Sequence, residues 1–268
     1  MNILVSLDSN YVLPLKVMLL SLFDNNRTLS ISLYILYSRL SDTEIADITA
    51  LVEKNNSRIF PIYIDDAYFD GAPVVSHYTK SMYYRLLAAR FLPLDIDQVL
   101  YLDPDILIVN SLHELYATNI DNYLFAAACH VTVNQVTVPI NRIRLNDYKL
   151  HRYYNSGILL MNITRQRAEI RPEDIQRYII ERKNNLILPD QDILNGLYGE
   201  QILDIDETLY NYDVRHYRSY LINSAGKKDL NWVMKHTVIL HFCGKKKPWH
   251  KAYTNKFGVL YKYYLNKI

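Results

Sequence analysis

Val99-Leu100-Tyr101-Leu102-Asp103-Pro104-Asp105-Ile106-Leu107-Ile108-Val109 is an apolar run broken once, by two carboxylates around a proline. Four apolar residues that end on a polar turn read as a buried parallel strand, with Asp103 and Asp105 at its carboxyl end. Upstream, short apolar runs at residues 3–7, 31–37 and 59–64 have the same character. Between them, residues 13–23 carry Leu13, Val17 and Leu20 at helical spacing, and Ser41 with Glu44 spells a capping box for a second helix. Residues 82–91 have a helical pattern that ends before Pro93. This alternation predicts an α/β layer on a mostly parallel sheet. Downstream, residues 123–128, 158–163 and 238–242 read as strands. Residues 172–182 read as a helix with Pro172 at its start, and 253–265 as a basic helix. The polar stretch 131–152 is expected to be a functional loop or lid.

The 268 residues are 50% hydrophobic and 22% charged, which suits one large domain with a sizeable core and excludes extended disorder. Two cysteines, Cys129 and Cys243, are too few for a disulfide framework or a zinc cluster. No apolar stretch is long enough to span a bilayer, and the start lacks the basic region of a signal peptide. The expectation is therefore a soluble, cytoplasmic protein. The net charge of +2 hides an asymmetry. From Ser224 onward there are ten lysines against one acid, Asp229, so the last 45 residues carry +9 and the rest −7. Such a tail suits an anionic partner, and equally a solvated helix.

The motifs that are missing narrow the chemistry. There is no Gly-x-Gly-x-x-Gly, no Gly-x-x-x-x-Gly-Lys-Ser/Thr and no His-Glu-x-x-His. An α/β sheet without them must hold nucleotide phosphates through a metal or side chains. Asp103 and Asp105, just outside a strand's carboxyl end, can chelate magnesium or manganese; a capped strand end is the plainer reading. His241 completing such a site would favour manganese. It is followed by Gly244, which permits close backbone approach, and Lys247, a natural phosphate partner. Asn155-Ser156-Gly157 reads as a turn into a strand, and Asp190 either as a helix N-cap or as part of a polar cluster facing a sugar.

Taken in order, these segments resemble glycosyltransferase family 8, which includes glycogenin and bacterial lipopolysaccharide galactosyltransferases. The resemblance covers residues 3–249. It rests on Leu7-Asp8-Ser9-Asn10-Tyr11, Tyr84-Arg85-Leu86, Val99 to Asp105, Asn155-Ser156-Gly157-Ile158-Leu159-Leu160-Met161-Asn162, Asp190-Gln191-Asp192-Ile193-Leu194-Asn195, and His241-Phe242-Cys243-Gly244-Lys245-Lys246-Lys247-Pro248-Trp249-His250. It implies a Rossmann-like nucleotide-diphospho-sugar transferase fold of the GT-A type, with a mixed, mostly parallel central sheet flanked by helices. Residues 1–250 would form the catalytic domain and 251–268 a basic aromatic helix that contacts membrane or acceptor.

The implied reaction is retaining transfer of glucose or galactose from a UDP-sugar to a saccharide acceptor, lipid- or protein-linked, with Mn2+ as cofactor and Mg2+ as substitute. Asp103, Asp105 and His241 would hold the metal. Gly244 and Lys247 would bind the pyrophosphate, and Asp8 and Asn10 the uridine. Arg85, Asn155, Asp190 and Gln191 would surround the donor sugar, with Asp190 and Gln191 at the reacting carbon. His77 and His130 are assigned to the acceptor side or a loop; His130 stands where related chains tend to have an acid. Same-face attack is the favoured chemistry, with a covalent intermediate on a carboxylate such as Asp190 the alternative. A nucleotidyltransferase and a non-catalytic UDP-sugar or glycan-binding protein are the competing functions. No nucleic-acid partner is expected, and contact with the inner membrane face is assigned to the basic C-terminus.

Overall fold

The computed structural model describes residues 1–65, 80–129, 131–146, 148 and 150–268. Ten strands make two sheets: β1 (Asn2–Ser6), β2 (Ser32–Tyr37), β3 (Arg58–Tyr63), β4 (Gln98–Leu102), β5 (Ile106–Ile108), β6 (Phe125–Ala127), β7 (Ile158–Asn162), β8 (Ile202–Asp204), β9 (Tyr212–Asp213) and β10 (Ile239–His241). The main sheet runs β3-β2-β1-β4-β7-β6-β8. β3, β2, β1 and β4 are mutually parallel, β7 is antiparallel to both β4 and β6, and β8 is parallel to β6. The mixed, mostly parallel sheet expected from the sequence is thus present.

Side-chain alternation explains why apolar runs, rather than alternating patterns, encode these strands. Ile3 and Val5 of β1, Leu100 and Leu102 of β4, and Ile158 and Leu160 of β7 enter one core cluster. Their neighbours Leu4, Val99, Tyr101, Leu159 and Met161 enter another on the opposite face. A sheet covered on both faces buries every position of its central strands. The helix Val12–Asn25 and the helix Asp42–Lys54 contribute to the first cluster; the segment Lys80–Leu87 and the helix Pro189–Tyr198 contribute to the second. Ser41 and Glu44 form the expected capping box at the start of Asp42–Lys54.

Strand order reverses between β2-β1 and β1-β4, and in such sheets ligands bind beside the carboxyl ends at the reversal. β7 runs the other way, so its amino end reaches the same edge, where Asp103 N–H donates to the Gly157 carbonyl at 2.7 Å. After Asp105 the chain leaves the main sheet. β5 pairs antiparallel with β10, setting Ile106 opposite His241, and β9 lies parallel on the other side of β10.

Three expectations change. Residues 131–152 are not a loop throughout, because Val131–Arg144 is a helix that includes Pro139. Asp190 is not an N-cap: Pro189 opens that helix, Leu188 precedes it, and Asp190 lies in the first turn. The terminal helix is shorter than 253–265, spanning Gly258–Leu265. Tyr261, Tyr264 and the preceding Phe257 are buried in a third cluster with Tyr212, Leu240 and Phe242 of the small sheet and its edge.

Candidate active site

The turn Asp103-Pro104-Asp105 passes from one sheet to the other, leaving one carboxylate at the end of β4 and the next beside β10. Asp105 C=O accepts from Phe242 N–H at 3.0 Å, which fixes the turn against His241. One ligand atom from each of Asp103, Asp105 and His241 lies within 4.8 Å of the others. His241 Nε2 stands 3.3 Å from Asp105 Oδ1, and Lys247 Nζ forms an ion pair with Asp105 Oδ2 while also donating to the Phe242 carbonyl at 3.0 Å.

The electrostatics separate the two aspartates. Burial raises the Asp103 carboxyl above its ordinary range, against the pull of Arg85. Burial acts the same way on Asp105, yet Lys247 and then His241 hold that carboxyl well below the usual range. Burial would lower the His241 imidazole, but Cys243 and Asp105 outweigh it and raise it well above its ordinary value.

A second group adjoins the first through Arg85, which is buried. Its guanidinium pairs with Asp103 Oδ1 at 2.9 Å, approaches Asp190 Oδ2 at 3.5 Å and donates to the Ser156 carbonyl at 2.8 Å. It lies over the Tyr101 ring, 4.5 Å from the centroid. Ser156 Oγ donates to Asp190 Oδ2 at 2.8 Å, and Tyr101 OH donates to Asp103 Oδ1 at 2.8 Å. Gln191 Oε1 accepts from Asn155 Nδ2 at 3.1 Å and from Ser156 N–H at 3.4 Å.

The structure therefore brings together Asp103, Asp105, His241, Lys247, Arg85, Asn155, Asp190 and Gln191. Asp8 and Asn10 lie just past β1, where Asp8 Oδ1 accepts from Asn10 N–H at 3.0 Å. Tyr11 follows them and meets Trp249 edge-on, with ring centroids 6.0 Å apart. Gly244 has φ +89°, a conformation that L side chains avoid, and a Cβ there would lie 2.6 Å from an Arg215 terminal nitrogen. His77 and His130 lie outside the described residues.

Gly157 borders the cluster closely, which its place in the motif does not reveal. A Cβ on it would sit 2.6 Å from both Asp103 Oδ2 and His241 Cε1. Two carboxylates and an imidazole, with a wall kept free of side-chain carbon, could hold a divalent cation. Tyr101 and Ser156 were also missed. Both belong to quoted segments, but nothing in their spacing signals a partner on another element.

The family model for glycosyl transferase family 8 matches residues 2–252. The chain belongs to that family. Among similar family proteins, the lipopolysaccharide 1,2-glucosyltransferase of Escherichia coli K12 is 26% identical over 252 residues, covering 94% of this chain and 73% of the relative. The lipopolysaccharide 1,3-galactosyltransferase of Salmonella typhimurium is 24% identical over 255 residues, with 93% and 73% covered. The crystal structure of the galactosyltransferase LgtC, in complex with donor and acceptor sugar analogues, superposes with a TM-score of 0.86 at 22% identity, covering 100% of this chain and 96% of LgtC. That likeness confirms the GT-A type of fold expected above.

Proposed function

We propose that this family 8 glycosyltransferase moves a hexose, glucose or galactose, from a UDP-sugar to a saccharide hydroxyl with retention of anomeric configuration. The observation that carries the proposal is the contact between the two halves of the site: Arg85 joins Asp103 of the acidic cluster to Asp190 and Ser156. A diphosphate held on one half places the attached sugar on the other. The likeness to LgtC and to lipopolysaccharide glucosyl- and galactosyltransferases supports this reading.

Asp103, Asp105 and His241 would hold the cation, with Mn2+ preferred over Mg2+ because one donor is an imidazole. Bound there, it would offset the negative charge that grows on the departing UDP. Lys247 reaches the same diphosphate, and the Gly244 backbone allows close approach. Asp8 keeps an acceptor oxygen for an imide N–H of the base, and Asn10 lies beside it. Arg85, with its fork fixed by three partners, presents a rigid cationic plane to the sugar side.

Gln191 is a neutral amide and a poor nucleophile. The Asp190 carboxylate is engaged by Ser156 Oγ and approached by Arg85, which favours same-face attack by the acceptor hydroxyl over a covalent glycosyl-enzyme. Among the described residues no helix is long and apolar enough to cross a membrane. Exposed Lys245, Lys246, Lys251 and Lys262 give the C-terminal region a basic face suited to an anionic lipid or a charged acceptor at the inner membrane surface.

Calorimetric titration with UDP, in Mn2+ and then in EDTA, tests the proposal. Binding that requires Mn2+ is expected, with stabilisation of about 2.7 kcal/mol at a ligand concentration near 100 times Kd. Incubation with UDP-glucose or UDP-galactose should release UDP. Release of UMP would instead identify a nucleotidyl or pyrophosphatase activity, and absence of any UDP binding would overturn the transferase reading.

A further inference from the structure

Asn211 lies between the short helix Glu207–Tyr210 and β9, and it is fully buried. It cannot touch a substrate. Its Oδ1 stands 2.8 Å from His241 Nδ1, and its Nδ2 donates to Asn155 Oδ1 at 2.9 Å. Asn155 Nδ2 donates in turn to Gln191 Oε1 at 3.1 Å. Three amides thus link the imidazole of the acidic cluster to the sugar side of the site.

The direction of every bond in this chain is set by backbone groups. Gly157 N–H donates to Asn155 Oδ1 at 2.9 Å, so that atom is an acceptor and Asn155 cannot be turned over. The group facing the same oxygen from Asn211 must then be its NH2. Asn211 therefore presents Oδ1 to His241, and His241 carries a proton on Nδ1. Ser156 N–H fixes Gln191 in the same sense. With Nδ1 committed as a donor, the nitrogen left for a cation is Nε2, the one beside Asp105.

We infer that Asn211 is a positioning residue that selects the metal-binding nitrogen of His241 and ties its orientation to Asn155 and Gln191. The inference rests on the metal-dependent reading proposed above. An Asn that merely satisfied a buried histidine would need only one end; here both ends are used and the second reaches the donor-sugar residues. It follows that the two functions of Asn211 can be separated. Aspartate at this position still accepts from His241 Nδ1–H, but it has no donor for Asn155 Oδ1 and sets a carboxylate oxygen against it.

The test compares wild type, Asn211→Ala and Asn211→Asp by calorimetric titration with MnCl2 and with MgCl2, thermal melting, and UDP release from the donor sugar. In Asn211→Ala, Mn2+ affinity is expected to fall by roughly 10- to 100-fold. Mg2+ affinity should fall by a smaller factor, since imidazole contributes less to its binding. Asn211→Asp is expected to keep Mn2+ affinity near that of wild type while losing turnover. If Asn211→Ala does not fold, this split in Asn211→Asp decides alone. Wild-type Mn2+ affinity in Asn211→Ala overturns the inference, as do wild-type turnover in Asn211→Asp or equal losses for both metals that follow a lowered melting temperature. Wild-type protein that binds no Mn2+ overturns the metal-dependent reading itself, and the inference falls with it.

Discussion

At the scale of single residues, the site depends on where side chains are absent as much as on where they are present. Gly157 lets Asp103 and His241 close over one point, and an added methyl would meet both at 2.6 Å. Neither neighbour is the free end of a flexible chain: Asp103 is held by Arg85 and Tyr101, and His241 by Asn211. Gly157→Ala should therefore lower Mn2+ affinity by roughly tenfold or more while the protein remains folded, as read by metal titration beside a thermal melt. Gln191→Ala addresses the sugar side. It should leave UDP affinity intact and reduce transfer by about 100-fold, the scale of losing one oriented donor in a water-poor site. Unchanged turnover would remove Gln191 from the site. Of these residues the sequence displays the ones that recur in short motifs, such as Asp103, Asp105 and His241. It conceals Asn211, which sits in Leu209-Tyr210-Asn211-Tyr212-Asp213 with no local pattern, because its partners lie on β10 and before β7.

At the scale of elements, the pair Asp190 and Asp192 shows how one helix serves two purposes. In Pro189–Tyr198 the Asp190 carboxylate meets Ser156 and Arg85, while Asp192, fully buried, accepts from Arg144 at 2.6 and 2.8 Å and from the backbone N–H groups of Ile187 and Leu188. Tyr153 OH is a further donor at 2.5 Å. Asp192 thus ties this helix to Arg144 at the end of Val131–Arg144. Asp192→Ala removes the buried carboxylate that Arg144, Tyr153 OH and the Ile187 and Leu188 N–H groups share, and should cost about 3 kcal/mol in urea unfolding. The same variant should reduce kcat, since the helix also carries Gln191. Spacing alone cannot assign these roles, as both aspartates look alike in the sequence. Val131–Arg144 is not legible as a helix for a related reason: its valines and threonines are mediocre helix formers and Pro139 breaks the pattern, so its helicity depends on tertiary support. By contrast, six of the seven strands of the main sheet and the Ser41 capping box are encoded locally, and their expected positions agree with the structure to within a residue or two; the short edge strand β8, three residues long, has no pattern of its own.

At the scale of the whole molecule, the C-terminal segment joins the site to the rest of the fold. The sequence suggests a basic aromatic helix beyond residue 250, and the structure divides its two properties between two faces. Phe257, Tyr261 and Tyr264 enter the third core cluster with Val17 of the helix Val12–Asn25 and with Leu240 and Phe242, the residues that flank His241. Lys262 and Tyr263 remain exposed, as does Lys251 upstream. Phe257, Tyr261 and Tyr264 therefore support β10, while Tyr263 and the lysines are left to solvent or to an anionic surface. Phe257→Ala should cost about 3–5 kcal/mol as a large-to-small change in a packed core. Because the cavity lies beneath the small sheet, Mn2+ affinity should fall with it, although residue 257 lies outside every motif of the site. Replacing Lys251 and Lys262 with glutamine should do the reverse. Stability and metal affinity would stay within about 0.5 kcal/mol of wild type, as for most surface changes. Sedimentation with phosphatidylserine vesicles at low salt would weaken if this face meets lipid, by about 1 kcal/mol for each lysine that reaches the surface. Equal sedimentation of wild type and the double variant would remove Lys251 and Lys262 from any contact with lipid, leaving packing as the function the structure supports for the terminal helix.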